Sequence, residues 1–269
     1  MKNSTPKPKY RSSLRLTLGK KYFSFKRRLL WILGGINFAK LGNKKLDFEH
    51  HSHETPLLRQ LQGLDMTLQH NKITNLKIAI SKINNVTIYP DEVFSYWKLI
   101  GNPTKRKGYL DGLVLQSGTI TTGVGGGLCQ LSNLIYWITI HTPLTVIERH
   151  RHGYDVFPDA DRTQPFGSGA TCFYNYGDLM IKNNTNEVFQ LSLEVTDTHL
   201  KGSWKSNTPA SHKYEVYEKE HVIEHEIWGG YTRHNVISRR VLDFKGVIID
   251  DEFVCENHAI MMYAPFISD

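Results

Sequence analysis

The chain has 269 residues, 40% of them hydrophobic, which is enough to bury a core and excludes a wholly disordered protein. Its 33 basic residues are segregated, because 13 of them precede Asp47, the first acidic residue, so a basic arm over residues 1–47 leads a body that is net acidic. The three cysteines, Cys129, Cys172 and Cys255, form no CxxC pair and no disulfide framework, and they fit a reducing, cytoplasmic compartment.

Within the arm the one apolar run, Leu29 to Ile36, falls short of the roughly 20 residues a spanning helix needs. It ends in Asn37-Phe38-Ala39-Lys40, a poor cleavage site for a secretory signal. Tyr22, Phe23, Phe25 and Trp31 are interleaved with Lys and Arg. That mixture predicts a segment lying peripherally on an anionic membrane surface and separable from the fold. With an acidic body and no nucleic-acid module, no nucleic-acid partner is expected.

Phe48 to Thr55 reads as a polar joint carrying His50, His51 and His53. From Pro56 to Ile83, apolar residues recur at helical spacing: Leu57, Leu61, Leu64 and Leu68, then Ile73, Leu76, Ile80 and Ile83. Asn84-Asn85 stops the helix, and Val86 to Tyr89 is a short strand. Phe94 to Ile100 and Gly112 to Thr122 read as extended. The glycine run Gly123-Val124-Gly125-Gly126-Gly127 follows, and then a helix from Cys129 to about His141 with Leu131, Leu134, Ile135 and Ile138 on one face. Val146 to Glu148 is a strand and residues 155–169 a loop. Ala170 to Tyr176, Leu179 to Lys182 and Val188 to Val195 alternate as strands, the last two flanking a hairpin turn at Asn183 to Asn186. Beyond Trp204 a polar joint leads to a strand-rich tail. The expected class is α+β: N-terminal helices, then a mixed or antiparallel sheet with the Cys129 helix packed on it.

A thiol nucleophile needs a stabilised thiolate and an approachable target. A helix N-terminus lowers a cysteine pKa through its dipole and free N–H groups. Glycines let a substrate approach the backbone. Gly125, Gly126 and Gly127 before Cys129 and Gln130 meet both conditions, which makes the glycines and Gln130 candidate substrate-binding residues. His152 or His150 supplies the candidate base, and Asp178 or Asp161 the group that would orient it. The order cysteine, histidine, acid is shared with papain-like and transglutaminase-like enzymes. Equally, glycines before a helix can serve only a tight turn, and a cysteine there can be a small buried residue.

The run Gly125-Gly126-Gly127-Leu128-Cys129-Gln130-Leu131-Ser132-Asn133-Leu134 resembles the central motif of the VanW family. So do Glu148-Arg149-His150-Arg151-His152, Arg162-Thr163-Gln164-Pro165-Phe166-Gly167, Gly169-Ala170-Thr171 and the segment from Asp178-Leu179 to Asn183. Leu68-Gln69-His70-Asn71-Lys72 and Phe94-Ser95 are similar as well. The resemblance covers roughly Thr55 to Trp204. It divides the chain into the arm, a VanW-like domain over 54–204, and a strand-rich extension over 205–269 packed on it. It implies a bacterial accessory protein of glycopeptide (vancomycin) resistance, linked to peptidoglycan precursor chemistry, with no assigned reaction.

Two weaker motifs remain. His221-Val222-Ile223-Glu224-His225 fits H-x-x-E-H, a zinc-peptidase pattern that requires a helix, whereas the flanking residues read as strand. The cluster His50, His51, His53 reads as a surface cluster rather than a metal site. No cofactor and no metal are expected. Two readings stand: a cysteine-dependent enzyme acting on an amide of the precursor, with Cys129 as nucleophile, or a non-catalytic module that binds precursor or resistance-enzyme partners.

Overall fold

A computed structural model describes residues 11–58, 66–116, 118–156 and 164–265. The class is α+β. In chain order the elements are α1 (Ser13–Leu33), β1 (Lys40–Leu41), β2 (Phe48–Pro56), α2 (Met66–Ile83), β3 (Val86–Ile88), β4 (Val93–Ser95) and α3 (Tyr96–Ile100). Then come β5 (Asp111–Gln116), β6 (Thr119–Val124), α4 (Leu128–Thr139), β7 (Thr145–Glu148), β8 (Tyr154–Asp155) and β9 (Met180–Lys182). The chain finishes with β10 (Phe189–Val195), β11 (His199–Ser206), β12 (Lys213–His225), β13 (Tyr231–Leu242) and β14 (Ile248–Met261).

The principal sheet has the order β1-β3-β10-β11-β2, and its pairings are antiparallel. Helix α2 packs against β10, and α4 packs beside it against β11 and β2. The apolar stripe Leu131, Leu134, Ile135 and Ile138 of α4 is fully buried. Each such side chain contributes roughly 1.5–3 kcal/mol of transfer free energy. Gly202 on β11 admits the helix, since a Cβ there would meet Leu134 at 3.1 Å. Trp204 fills the centre and donates its ring N–H to Thr139 Oγ1 at 2.9 Å.

Phe48–Pro56 is a strand and not a joint. It is an edge strand on β11, and its residues are exposed or half-buried, so it needs no apolar alternation. The described helix starts at Met66, and Leu57 is buried at the end of β2 instead of on the helix. Residues Leu61 and Leu64 lie outside the described residues. The Asn183 turn forms as expected, its side-chain oxygen accepting from Thr185 N–H at 3.0 Å. The strands on either side of it do not pair with each other. β9 joins β4 and β7 in a three-stranded sheet, while β10 joins the principal sheet.

The extension is an antiparallel meander, β12-β13-β14, with β8 added parallel to β14. Hairpin β5–β6 forms a separate two-stranded sheet. At its turn, a Cβ on Gly118 would touch the Tyr154 ring at 3.2 Å and Met262 Sδ at 3.3 Å, so the hairpin tip rests on the extension.

The arm is built into this fold. Arg27 is buried and bonds Glu148 of β7. Ala39 is buried, and β1 occupies an edge of the principal sheet. The charge of the arm is segregated, but its buried contacts are shared with the body. Among the described residues no helix is long and apolar enough to cross a membrane.

Candidate functional site

The glycine turn is fixed by close packing. Gly125 and Gly127 have φ of +77° and +90°, a region that favours glycine. A Cβ on Gly126 would lie 2.1 Å from the carbonyl carbon of Gly112 on β5, backbone against backbone. A Cβ on Gly127 would lie 2.2 Å from Lys72 Cγ on α2. Gly127 N–H donates to Leu113 O at 3.0 Å, and Asn75 Nδ2 donates to Gly126 O at 2.9 Å. Tyr96 OH donates to Leu128 O at 3.0 Å and seats the first residue of α4. Cys129 is the second residue of that helix.

Above this turn lies a cleft of about 590 Å³. Leu113, Leu115, Ile120 and Val124 of the β5–β6 hairpin form an apolar wall, and Trp97, Tyr174 and Tyr176 line it with aromatic rings. Cys129, Cys172, Gln69 and His152 also line it.

Cys129 is half-buried and lines the cleft. Burial raises the thiol pKa above its ordinary value, and the Cys172 backbone N–H, which the sulfur accepts, offsets only part of this. The favourable helix terminus is therefore outweighed by desolvation. Cys172 lies in the segment 170–176 that was expected to be a strand. It is buried beside Cys129 on the cleft, because residues 170–176 form a loop closed by the Phe173–Gly177 bridge and not a strand. Burial, followed by the neighbouring Cys129, pushes its pKa well up.

Of the two candidate bases, His152 reaches the cleft. Its ring meets Phe173 edge-on at 5.9 Å, and burial, followed by the Arg151 charge, lowers its pKa, so it is neutral at neutral pH. Among the described residues no hydrogen bond joins it to Cys129. His150 turns away and bonds Glu148 Oε1 at 2.9 Å. Asp178 is fully buried and faces neither histidine. It accepts from Ser95 Oγ at 2.5 Å and from Trp97 N–H at 2.9 Å, capping α3. Burial raises its pKa to about 6 against those two hydrogen bonds. Asp161 lies outside the described residues. Gln130 spends its amide on β2, donating to Thr55 Oγ1 at 2.9 Å and Pro56 O at 2.8 Å.

The residue that sequence reasoning missed is Gln69. It is 4% exposed, lines the cleft, and its side-chain oxygen has no hydrogen-bond partner. An unmet buried acceptor of this kind costs roughly 1–3 kcal/mol. The helical pattern marked only its apolar neighbours.

A family model described as VanW like protein matches residues 71–205. The chain is 32% identical over 223 residues to the vancomycin B-type resistance protein VanW of Enterococcus faecalis, covering 83% of this chain and 81% of that one. It is 27% identical over 144 residues to the uncharacterized protein YoaR of Bacillus subtilis, covering 53% of this chain and 46% of that one. No solved structure matches the chain. These matches place the chain in a vancomycin-resistance-associated class of protein. The chain belongs to the VanW family.

Proposed function

We propose that the chain is a non-catalytic binding protein of vancomycin resistance, and that its cleft takes the peptide portion of a cell-wall precursor. The observation that carries this is the cleft over the glycine turn, lined by apolar and aromatic side chains and by Gln69, whose amide oxygen meets no N–H donor of the protein. A peptide offers such donors at every residue, and the apolar and aromatic walls suit small aliphatic side chains. The state of Cys129 favours binding over catalysis: its thiol is held neutral, and the Asp178 carboxylate is committed to α3. In this reading Cys129 is a packing and contact residue of the cleft floor.

The test is calorimetric titration with a soluble precursor peptide, followed by mass spectrometry of peptide and protein. Binding with the peptide recovered intact supports the proposal. Cleavage, or an acyl adduct on Cys129, overturns it in favour of the cysteine enzyme.

The anionic-membrane reading of the arm stays with this proposal. Helix α1 exposes Leu14, Leu16, Leu18, Phe23, Phe25 and Ile32 among its lysines and arginines, while Arg27 faces the body. Apolar side chains beside basic ones suit the interface of an anionic bilayer.

A further inference from the structure

The H-x-x-E-H motif is split by the strand that carries it. On β12, His221 accepts from Arg233 Nε at 2.9 Å and His225 packs on the Tyr231 ring, both on one face. Glu224 takes the opposite face, paired with Thr232 across β12 and β13. There it meets Glu226 and His234, and one ligand-type atom from each of the three lies within 4.8 Å of the others. Glu226 is buried, while Glu224 and His234 are half-buried, so the cluster is open to solvent on one side.

The orientation of His234 is set from behind. His258 pairs with it in register on β14, and their Nδ1 atoms are hydrogen-bonded. His258 Nε2 lies 2.9 Å from Glu256 Oε1. With His258 neutral and its proton on Nε2, the side of the Glu256 carboxylate, its Nδ1 accepts the Nδ1–H of His234. His234 Nε2 then presents its lone pair towards the carboxylates, 3.9 Å from Glu224 Oε2. The Thr232 hydroxyl donates to Glu226 Oε1 at 2.7 Å and lies 2.9 Å from His234 Nε2. A carboxylate–histidine relay behind a histidine that faces two carboxylates is the arrangement by which proteins orient a metal-ligating imidazole.

We propose that Glu224, Glu226 and His234 bind a divalent first-row transition ion, with His258 and Glu256 as positioning residues. Imidazole and carboxylate donors suit zinc, at about 2.0–2.2 Å from each ligand atom. Rotation of the half-exposed Glu224 side chain would close the present spread. Three protein ligands would leave a further position for water or a ligand. The histidines His50, His51 and His53 do not converge in this way: His50 bonds Ser206, His51 stacks on His141 and His53 packs on Trp137.

The experiment uses the full chain, stripped with chelator and titrated with zinc chloride, with cobalt(II) absorption as a second readout. One equivalent should bind and raise Tm. Glu224→Gln and His234→Ala should each abolish stoichiometric binding, and His258→Ala should weaken it roughly 10- to 100-fold. Circular dichroism of each apo variant checks the fold, and Glu224→Gln, at a half-exposed position, keeps the test valid where His234→Ala fails to fold. No bound ion in the parent chain, or equal binding in parent and Glu224→Gln, would overturn the proposal. So would an NMR finding that His234 is a doubly protonated imidazolium unaffected by zinc. None of these outcomes bears on the Gln69 cleft.

Discussion

Arg27 of the N-terminal helix donates to Glu148 of β7, and so the most basic segment of the chain is tied to the central motif region. The same carboxylate accepts from His150 at 2.9 Å and from Asp178 N–H at 3.0 Å. Arg27→Met should therefore destabilise the protein by roughly 1.5–3 kcal/mol, because it removes the charged one of three donors to a partly buried carboxylate. Deleting residues 11–45 should do at least as much, since it also removes β1. Urea denaturation measures both, and unchanged midpoints would mean that the arm is separable after all.

This carboxylate also sets an acid limb. Burial alone would raise the Glu148 pKa, but the hydrogen bonds from His150 and Arg27 win and bring it down to about 2. A depressed carboxylate stabilises the fold above its unfolded pKa of 4.5, and that contribution is lost as the pH falls towards 2. Asp178 acts with the opposite sign. Its pKa is raised to about 6, so it costs stability at neutral pH, and the cost is relieved as the pH falls from 6 towards 3.8. Thermal melts should show parent stability declining below about pH 4.5. The Glu148→Gln variant should lack that decline, and a decline identical in parent and variant would refute the assignment.

Gly126→Ala should cost roughly 1–3 kcal/mol or more, because the new methyl would overlap the Gly112 backbone and no flexible side chain can yield. Gly153→Ala, with nothing within 4 Å of the added methyl, is the control. Equal denaturation midpoints for the two variants would show that the glycine turn is not held by packing.

Cys129 should react slowly. With its thiol pKa raised by burial, iodoacetamide at pH 7 should label it more slowly in the native chain than in urea, and the native rate should climb steeply with pH. Labelling faster than an unfolded cysteine would revive the nucleophile.

The periodic parts of this chain could be read directly. The α4 stripe from Leu131 to Ile138 and the Asn183 turn form where their spacing and turn chemistry place them, and the VanW motifs pointed to the family. What stayed hidden was set by tertiary pairing. β2 carries polar residues because it is an edge strand, and nothing in its own pattern says that β11 lies beside it. Asp178 follows the histidines in sequence, but its partners are Ser95 and Trp97, more than eighty residues earlier. Cys129 stands where a helix terminus would activate it, yet the walls that desolvate it come from distant segments. Gln69 stood in a segment similar to the VanW family, but its place on the cleft was not legible, because an unpaired oxygen becomes visible only once its surroundings are known.

The most direct test of the binding account is Gln69→Leu, measured for stability and for precursor-peptide affinity in the same preparation. Leucine keeps the volume and removes the unpaired oxygen, so the fold should be as stable as the parent or more so, by up to about 1–3 kcal/mol. Peptide affinity should drop about tenfold, as expected when a polar side chain lining the cleft loses its hydrogen-bonding amide. A variant that is more stable and binds the peptide as tightly as the parent would contradict the account, because the Gln69 amide would then serve no ligand.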